Sequence, residues 1–472
     1  MTSDPRSPRA RRPGGRRPRL APRVDPARLA AFEVLHGVTT EDAYANLLLP
    51  ARLRAHSLEG RDAAFATELV SGTLRRQGTY DAVLASCVKR PLERMDPGVL
   101  DVLRLGAHQL LSMRVPVHAA VATSVDLCRA KASHGAAGLV NAVLRRVGEK
   151  PLDNWVRLVA PDPASDPHGF AAVSQSHPRW VVEELAAALG ERADELAELL
   201  AADNDPPPVT LVARPGLCSR EELVAAGGEP TSLSPFGVRL PGGDPGALPA
   251  VKEGRAGVQD EGSQVVAWAI GVVPVEGRDE RWLDLCAGPG GKSALLGGLA
   301  AQCGARLLAV ERQPHRAELV RRSVAGLPAS AVGVVAADGT QPVWAPGQFD
   351  RVLVDAPCSG LGALRRRPES RWRRTLRDLD DLVPLQLRLL ESALDAVRPG
   401  GVVAYVTCSP VLRETTGVVT EVLGRRGDVE LLDASAVLPD VPDAAASVPG
   451  TMQLWPHRHG TDAMFLALLR RS

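Results

Sequence analysis

The sequence lacks both the long apolar runs of a membrane protein and the cysteine patterns of a metal or disulfide scaffold. No segment approaches the roughly 18 uncharged apolar residues of a spanning helix, and the N-terminus has no apolar core of a secretory signal. The seven cysteines form no C-x-x-C pair, and no histidine lies near them at zinc-finger spacing. We therefore expect free thiols, no metal, no membrane contact and a cytoplasmic location.

The length and composition indicate an ordinary folded protein with several domains. Hydrophobic residues make up 45% of the chain and charged residues 24%, which is typical of globular proteins. A chain of 472 residues is too long for one ordinary domain, and about three are expected. We predict a multidomain protein.

Residues 1–24 form a basic, proline-rich tail. Eight arginines and one aspartate give this tail a net charge of +7, so the rest of the chain carries about −6 of the total of +1. The tail combines Arg, Pro and Gly without apolar periodicity, which predicts disorder. Such an arm can hold phosphates, and a solubilising tail without a specific partner is the alternative.

Residues 25–150 alternate helical windows with short polar breaks. Apolar residues recur at i, i+3, i+4 and i+7 in each window, which predicts an all-α bundle. The stretches RDAAFATELVSGTLRR, LRLGAHQLL, VPVHAAVATSVDL and GLVNAVLRR resemble the NusB-like RNA-binding domain. This resemblance implies RNA binding, whereas periodicity alone leaves a purely structural helical module open.

Two segments separate this bundle from the C-terminal part. Residues 151–165 contain Pro and Asp between short apolar pieces, which predicts a linker. Residues 166–255 begin with two helical windows, a proline stop and a strand. This pattern resembles the small α/β RNA-binding segment that precedes the catalytic domain in RNA cytosine-C5 methyltransferases.

Residues 256–472 alternate apolar strands with helical windows, which predicts a Rossmann-like parallel sheet covered by helices on both faces. In such an open sheet, ligands bind beyond the carboxyl ends of the strands. The strands RWLDLC, RLLAVE, AVGVVAAD, FDRVLVD and GVVAYVTC end in, or just before, residues that can do chemistry. We therefore expect these residues to converge on one crevice.

The first strand leads into a loop, C-A-G-P-G-G-K, that has neither dinucleotide nor P-loop spacing. Its glycines let the backbone approach a ligand, and the helix that follows offers unpaired N–H groups. The second strand ends at Glu311, where an acid can accept hydrogen bonds from both ribose hydroxyls. The third strand leads into Asp338. These residues predict a cradle for a nucleoside cofactor.

Two cysteines follow neighbouring strands, in D-A-P-C-S-G and T-C-S. Amino-methylating enzymes of this fold carry an Asn/Asp-Pro-Pro-aromatic sequence at the first of these positions, and Cys358 replaces the aromatic here. Together with the glycine loop, these motifs closely resemble the Sun/Fmu (RsmB/NOP-type) family of small-subunit ribosomal RNA cytosine-C5 methyltransferases. A small buried hydrophobe is the alternative role for either cysteine taken alone.

The resemblance implies S-adenosylmethionine as cofactor, a class I methyltransferase domain and the roles of individual residues. Cys408 would attack carbon 6 of the cytosine, Cys358 would assist proton loss or product release, and Asp355 would hold the base. The cofactor-binding residues would be Cys286, Ala287, Gly288, Pro289, Gly290, Gly291, Lys292, Glu311, Arg316, Asp338 and Asp355.

The chain between the two cysteine motifs is strongly basic. We predict that it clamps RNA phosphates, although a charge run is more often a solvated face. The arginines concerned are Arg365, Arg366, Arg367, Arg371, Arg373 and Arg374. We expect a monomer that acts on small-subunit rRNA; tRNA as substrate, an amino-group methyltransferase and a non-catalytic RNA-binding assembly factor are the alternatives.

Overall fold

The computed structural model describes residues 24–472. The basic tail expected over residues 1–24 lies, apart from Val24, outside the described residues. Within the described part of the chain, no helix has both the length and the apolar character needed to cross a bilayer.

Helices that share one apolar core form the N-terminal part of the described chain. Asp25 and Asp96 each accept a hydrogen bond from a backbone N–H in the first turn of a helix, and a proline follows each of them at the first helical position. Leu69 and Leu103 are fully buried in the shared core. The expected all-α bundle is confirmed. Its main helices are α1 (Pro26–Thr40), α2 (Ala45–Ala55), α3 (Gly60–Arg75), α4 (Gln77–Cys87), α5 (Pro97–Leu111), α6 (Val117–Leu127) and α7 (Ala137–Val147).

The segment 151–165, expected to be a linker, contains helix α8 (Leu152–Val159). Trp155 is only 2% exposed, and its Nε1–H donates to the carbonyl oxygen of Val147 at 2.8 Å. Both ends of the helix pack against the core of the preceding bundle. The linker expectation is wrong because the first proline and aspartate of the segment open this helix and do not interrupt it.

A small antiparallel sheet follows the next helices. Its strand order is β2-β3-β1-β4, with β1 paired to both β3 and β4. The last strand lies beyond residue 255, so this sheet extends past the boundary expected for the methyltransferase domain. The expected helices, proline stop and strand are present. The elements are α9 (Pro167–Ser174), α10 (Arg179–Leu189), α11 (Leu196–Ala202), β1 (Val209–Ala213), α12 (Arg220–Ala225), β2 (Glu229–Pro230), β3 (Gly237–Leu240), α13 (Pro249–Lys252) and β4 (Ala256–Val258).

A larger sheet carries the C-terminal part, in the order β10-β12-β9-β8-β5-β6-β7, with β11 paired to β12. The five strands from β9 to β7 in this order are parallel, and β12 runs antiparallel beside β9. The strands are β5 (Arg281–Asp284), β6 (Arg306–Glu311), β7 (Val332–Ala336), β8 (Phe349–Asp355), β9 (Val397–Thr407), β10 (Val429–Leu432), β11 (Met452–Gln453) and β12 (Phe465–Arg471).

Helices cover both faces of the large sheet. Val266 and Leu296 pack on one face, and Leu390 and Val419 pack on the other. The helices are α14 (Glu261–Val272), α15 (Gly291–Gln302), α16 (Pro314–Val324), α17 (Ser370–Arg373), α18 (Leu376–Ala396), α19 (Thr416–Arg425), α20 (Ala434–Val437) and α21 (Pro456–His459). The expected multidomain fold, with a helical bundle and a Rossmann-like sheet, is confirmed. All parallel strands of the sheet end at one edge, and the predicted site residues follow those ends.

Candidate active site

The glycine loop joins β5 to α15 and passes close to the end of β6. The backbone N–H of Ala287 donates to the carbonyl of Val310 at 2.9 Å. A Cβ at Gly288 would lie 2.1 Å from Oε2 of Glu311, so any other residue there would displace the Glu311 carboxylate from its present position. Gly290 has a φ of +111° and stands at the N-cap of α15. The predicted loop residues 286–292 therefore form one turn whose backbone faces the carboxyl end of the sheet.

Glu311 lies at the end of β6 and is held by the same loop. Its Oε2 accepts from the Gly288 N–H at 3.1 Å, and its Oε1 accepts from the Gln313 N–H at 2.9 Å. Arg316 donates to the carbonyl oxygen of Gly288 at 2.6 Å and so braces the loop from the outside. A carboxylate has about four acceptor positions, so Glu311 keeps capacity for a ligand with two hydroxyls.

Asp338 follows β7 and is kept ionised. Hydrogen bonds from the hydroxyl and the backbone N–H of Thr340 to Oδ1 lower the pKa of this carboxyl. Oδ2 lies 3.6 Å from Nε of Arg312. Asp338 is therefore an acceptor beside the crevice, as a contact to an adenine amino group requires.

Asp284 supplies a buried carboxylate at the end of β5. Oδ2 accepts from the Ser293 hydroxyl at 2.6 Å, whereas Oδ1 has no hydrogen-bond partner among residues 24–472. Burial raises the pKa of this carboxyl to about 7. The unpaired acceptor of Asp284, the glycine turn and the two acids Glu311 and Asp338 make a set of polar groups that fits a nucleoside bearing an amino-acid tail.

The two predicted cysteines meet at neighbouring strand ends. The Sγ atoms of Cys358, after β8, and Cys408, after β9, lie 3.4 Å apart. The hydrogen bond from the Cys358 thiol lowers the pKa of Cys408, and the positive charges of Lys292 and Arg367 add to that effect. The same hydrogen bond and burial raise the pKa of Cys358. Of the two thiols, Cys408 therefore loses its proton more readily and is the better candidate for the nucleophile.

Lys292 connects the cysteine pair to the glycine loop. Its Nζ donates to Oδ2 of Asp355 at 2.8 Å. The ion pair is mostly shielded from solvent, with the Lys292 side chain 12% exposed. Asp355 raises the pKa of Lys292 against the opposing effect of burial, so the lysine stays charged. The site therefore holds a fixed cation beside Cys408.

Comparison with known proteins gives the family. The family model of 16S rRNA methyltransferase RsmB/F matches residues 273–470, and that of the NusB family matches residues 25–149. A probable ribosomal RNA small subunit methyltransferase B of Bacillus subtilis is 30% identical over 452 residues, which cover 93% of this chain and 98% of that protein. The chain belongs to the RsmB/F methyltransferase family.

Two further relatives span nearly the whole chain. A putative methyltransferase of Mycobacterium tuberculosis is 52% identical over 460 residues, covering 97% of this chain and 99% of that protein. The crystal structure of the protein PH0851 has a TM-score of 0.79 at 22% identity and covers 95% of this chain and 99% of that one, which shows the same fold. Membership in the RsmB/F family confirms the expected enzyme class, an S-adenosylmethionine-dependent methyltransferase with a NusB domain.

This RsmB/F chain also contains a buried acid that the sequence did not reveal. Glu414 is fully buried and accepts from the backbone N–H of Ser359 at 2.7 Å and from the Ser409 hydroxyl at 2.6 Å. Gln386 donates to Glu414 at 3.1 Å and to the carbonyl of Pro357 at 2.9 Å. Each serine follows one of the cysteines, so this network fixes the two cysteine loops together. The sequence did contain a signal for this acid, because a serine follows each of the two cysteines and buried serine hydroxyls need a hydrogen-bond acceptor.

The predicted phosphate clamp of six arginines is largely wrong. We call residues 364–374 the arginine-rich segment. Within it, Arg371 is fully buried, Arg365 is 5% exposed, and Arg366 pairs with Asp260 and Asp462 inside the protein. Buried guanidinium groups with internal partners cannot reach phosphates.

Three arginines of the segment have other surroundings. Arg373 pairs with Asp42, Arg374 lies 3.9 Å from Asp378, and only Arg367 belongs to the exposed surface. The prediction was wrong because a run of arginines has the same pattern whether the side chains contact water, RNA or distant residues of the same chain.

Proposed function

We propose that this RsmB/F chain transfers a methyl group to carbon 5 of a cytosine in small-subunit ribosomal RNA, through a covalent bond between Cys408 and carbon 6. The observation that carries the proposal is the cysteine pair, with Sγ atoms 3.4 Å apart and the pKa of Cys408 lowered. Carbon 5 of cytosine is a poor nucleophile until a thiolate has added at carbon 6.

The cofactor supplies an electrophilic methyl group when it is bound. Glu311 would hold the ribose hydroxyls, Asp338 the adenine amino group, and the loop from Cys286 to Lys292 the amino-acid end. Glu311 and Asp338 are both acceptors at the carboxyl edge of the sheet, and the glycine turn lies between that edge and α15. The acids and the loop thus match the polar groups at both ends of the cofactor.

The chain's own residues would carry out the remaining steps. The Cys408 thiolate adds to carbon 6, and the Asp355 carboxylate accepts hydrogen bonds from the exocyclic amine and from N3 once N3 is protonated. Carbon 5 then takes the methyl group, and the electron pair of the broken carbon–sulfur bond stays on the sulfur of the cofactor. Loss of the carbon 5 proton, assisted by Cys358, expels Cys408 as thiolate, and N3 then gives up the proton that it gained. The aromatic ring is restored, and the net release is one proton per methyl transferred.

Two kinds of observation support the RNA substrate. The NusB family model matches residues 25–149, and the relative from Bacillus subtilis bears the name of a small subunit rRNA methyltransferase. Cys358 stands where amino-methylating enzymes carry an aromatic residue, which disfavours transfer to the cytosine amine.

The test is incubation with S-adenosylmethionine and small-subunit rRNA, followed by mass spectrometry of nucleosides and of protein–RNA adducts. We expect 5-methylcytidine with wild type, neither product nor adduct with Cys408→Ala, and a trapped adduct with Cys358→Ala. Cys303→Ala is the matched control, because this thiol is exposed at the end of α15. N4-methylcytidine would overturn the proposal, product on tRNA alone would change the substrate, and no product on any cellular RNA would favour an assembly factor.

A further inference from the structure

The arginine-rich segment joins the catalytic loop to the segment 166–255 and to the N-terminal helices. Nη1 of Arg371 donates to the carbonyl of Ser176 at 3.0 Å and to Oδ1 of Asn204 at 2.9 Å. A Cβ at Gly78 in α4 would lie 2.3 Å from Cη2 of Trp372, so the indole packs directly against that helix. Because this segment follows Cys358 by only a few residues, the helical domain, through Gly78, and the segment 166–255, through Ser176 and Asn204, together hold the catalytic loop.

The same contact brings Tyr44 to the catalytic domain. The guanidinium carbon of Arg373 lies 4.9 Å from the Tyr44 ring centroid, and that of Arg367 lies 5.6 Å from it. The backbone N–H of Ala45, next to Tyr44, donates to Oε1 of Glu369 at 3.1 Å. Arg373 itself donates to the carbonyls of Val38 and Ala43. Contacts of its ring and of the neighbouring backbone therefore hold Tyr44 against the arginine-rich segment.

Arg367 and Tyr44 both keep polar groups without protein partners. Within residues 24–472, no carboxylate lies in ion-pair distance of the Arg367 guanidinium, and the Tyr44 hydroxyl makes no hydrogen bond. Tyr44 is 38% exposed, and Arg367 also lies on the surface. The Arg367 guanidinium presents only hydrogen-bond donors to the solvent, and the Tyr44 hydroxyl beside it presents one donor and can also accept.

Arg367 follows the loop that contacts the reacting Cys408. The backbone N–H of Gly362 donates to the carbonyl oxygen of Cys408 at 2.9 Å. The N–H of Arg367 donates to the carbonyl of Ala363 at 3.0 Å, so Arg367 is one helical turn beyond that contact. The Arg367 charge also contributes to the lowered pKa of Cys408, and Tyr44 lies against that guanidinium.

We propose that Tyr44 and Arg367 form an RNA contact shared by two domains, which holds a phosphate next to the target cytosine. Arg367 binds the phosphate in the two-pronged geometry of a guanidinium, and Tyr44 positions the guanidinium and adds its hydroxyl. This inference rests on the proposed RNA substrate. It also gives the NusB domain a task in the active site, since Tyr44 comes from the loop between α1 and α2.

The test combines RNA binding with kinetics on full-length protein. We expect Arg367→Ala to weaken binding of single-stranded rRNA fragments about tenfold and to reduce the slope of log affinity against log salt by about 0.7. Tyr44→Ala should weaken binding less, Tyr44→Phe should lose only the hydroxyl contribution, and Arg367→Lys should recover part of the affinity. KM for RNA should rise, while the Kd of S-adenosylmethionine stays at its wild-type value.

Controls separate this contact from stability and from the proposed reaction. Arg281→Ala removes an exposed arginine at the opposite edge of the sheet and should change nothing. In the Arg367→Ala background, Tyr44→Ala should have little further effect, because Tyr44 acts mainly through Arg367. Wild-type RNA affinity and salt slope in both alanine variants would overturn the inference. Failure of wild type to make 5-methylcytidine would instead overturn the proposed function, and the binding data would still test the RNA contact.

Discussion

Nζ of Lys292 lies 2.8 Å from Oδ2 of Asp355 and so ties the glycine loop to the end of β8. The lysine is the last residue of the cofactor motif and the aspartate the first of the cysteine motif. The positive charge of Lys292 also lowers the pKa of Cys408. Lys292 therefore connects the cofactor cradle to the nucleophile, a role that neither motif indicates when taken alone.

Lys292→Met should slow formation of the Cys408–RNA adduct. Removal of the cation raises the pKa of Cys408, and a rise of one unit lowers the thiolate fraction about tenfold at neutral pH. Single-turnover adduct formation measured against pH should therefore shift to higher pH. Lys292→Arg should shift it less, because the positive charge is retained. A profile identical to wild type in the methionine variant would contradict this role.

The Cys358 thiol should set the pH at which Cys408 reacts. Its hydrogen bond is the main cause of the lowered pKa of Cys408, so Cys358→Ala should move the pH profile of Cys408 alkylation toward alkaline values. At a pH below the pKa of Cys408, the Cys408 thiol is protonated and its alkylation slows. Cys358→Ser retains a donor and should move the profile less. The exposed Cys303 provides an internal reference in the same samples, and an unchanged profile would show that the thiols are not coupled.

Glu414→Ala should lower kcat and destabilise the protein together. The backbone N–H of Ser359 and the Gln386 amide would lose a buried acceptor, at a cost of about 1–3 kcal/mol in the free energy of unfolding. The cysteine loops would also lose their common anchor, whereas the Kd of S-adenosylmethionine should stay unchanged. Glu421→Ala on α19 is the control, since that side chain is exposed and paired only on the surface. Equal effects of the two variants on kcat would argue against a positioning role.

Trp155→Ala should destabilise the helical domain by about 3–5 kcal/mol in urea unfolding, because the indole is buried and its N–H is satisfied inside the core. Leu158→Ala in the same helix should cost far less, since Leu158 is 62% exposed. Equal and small effects would mean that the segment behaves as a linker after all.

Unfolded or partly assembled rRNA should be methylated faster than rRNA in mature small subunits. A stacked and packed cytosine must be extruded before Cys408 can reach carbon 6, and extrusion costs least in a single strand. Initial rates of 5-methylcytidine formation on naked rRNA and on purified subunits measure this directly. Much faster reaction on mature subunits would contradict it.

Helical periodicity predicted most of the N-terminal helices, and strand–helix alternation predicted the large sheet. It did not predict a helix in residues 151–165, where one buried face of α8 spans only two turns. Periodicity is weak in short helices because few residues sample each face. The predicted C-terminal boundary of the small α/β segment, residue 255, excluded strand β4. This strand pairs with β1 across more than forty residues of chain, so no local pattern indicates the pairing.

Local motifs by themselves determined the family, the cofactor and the edge of the sheet where chemistry is expected, because each motif stands at the end of a strand whose direction the alternation fixes. Only the tertiary structure decided which charges are free. Arg371 and Arg367 stand four residues apart in one basic run, yet one is buried against backbone carbonyls of distant helices and the other is exposed beside Tyr44. Burial and pairing depend on which remote segments pack together, and no local pattern carries that information.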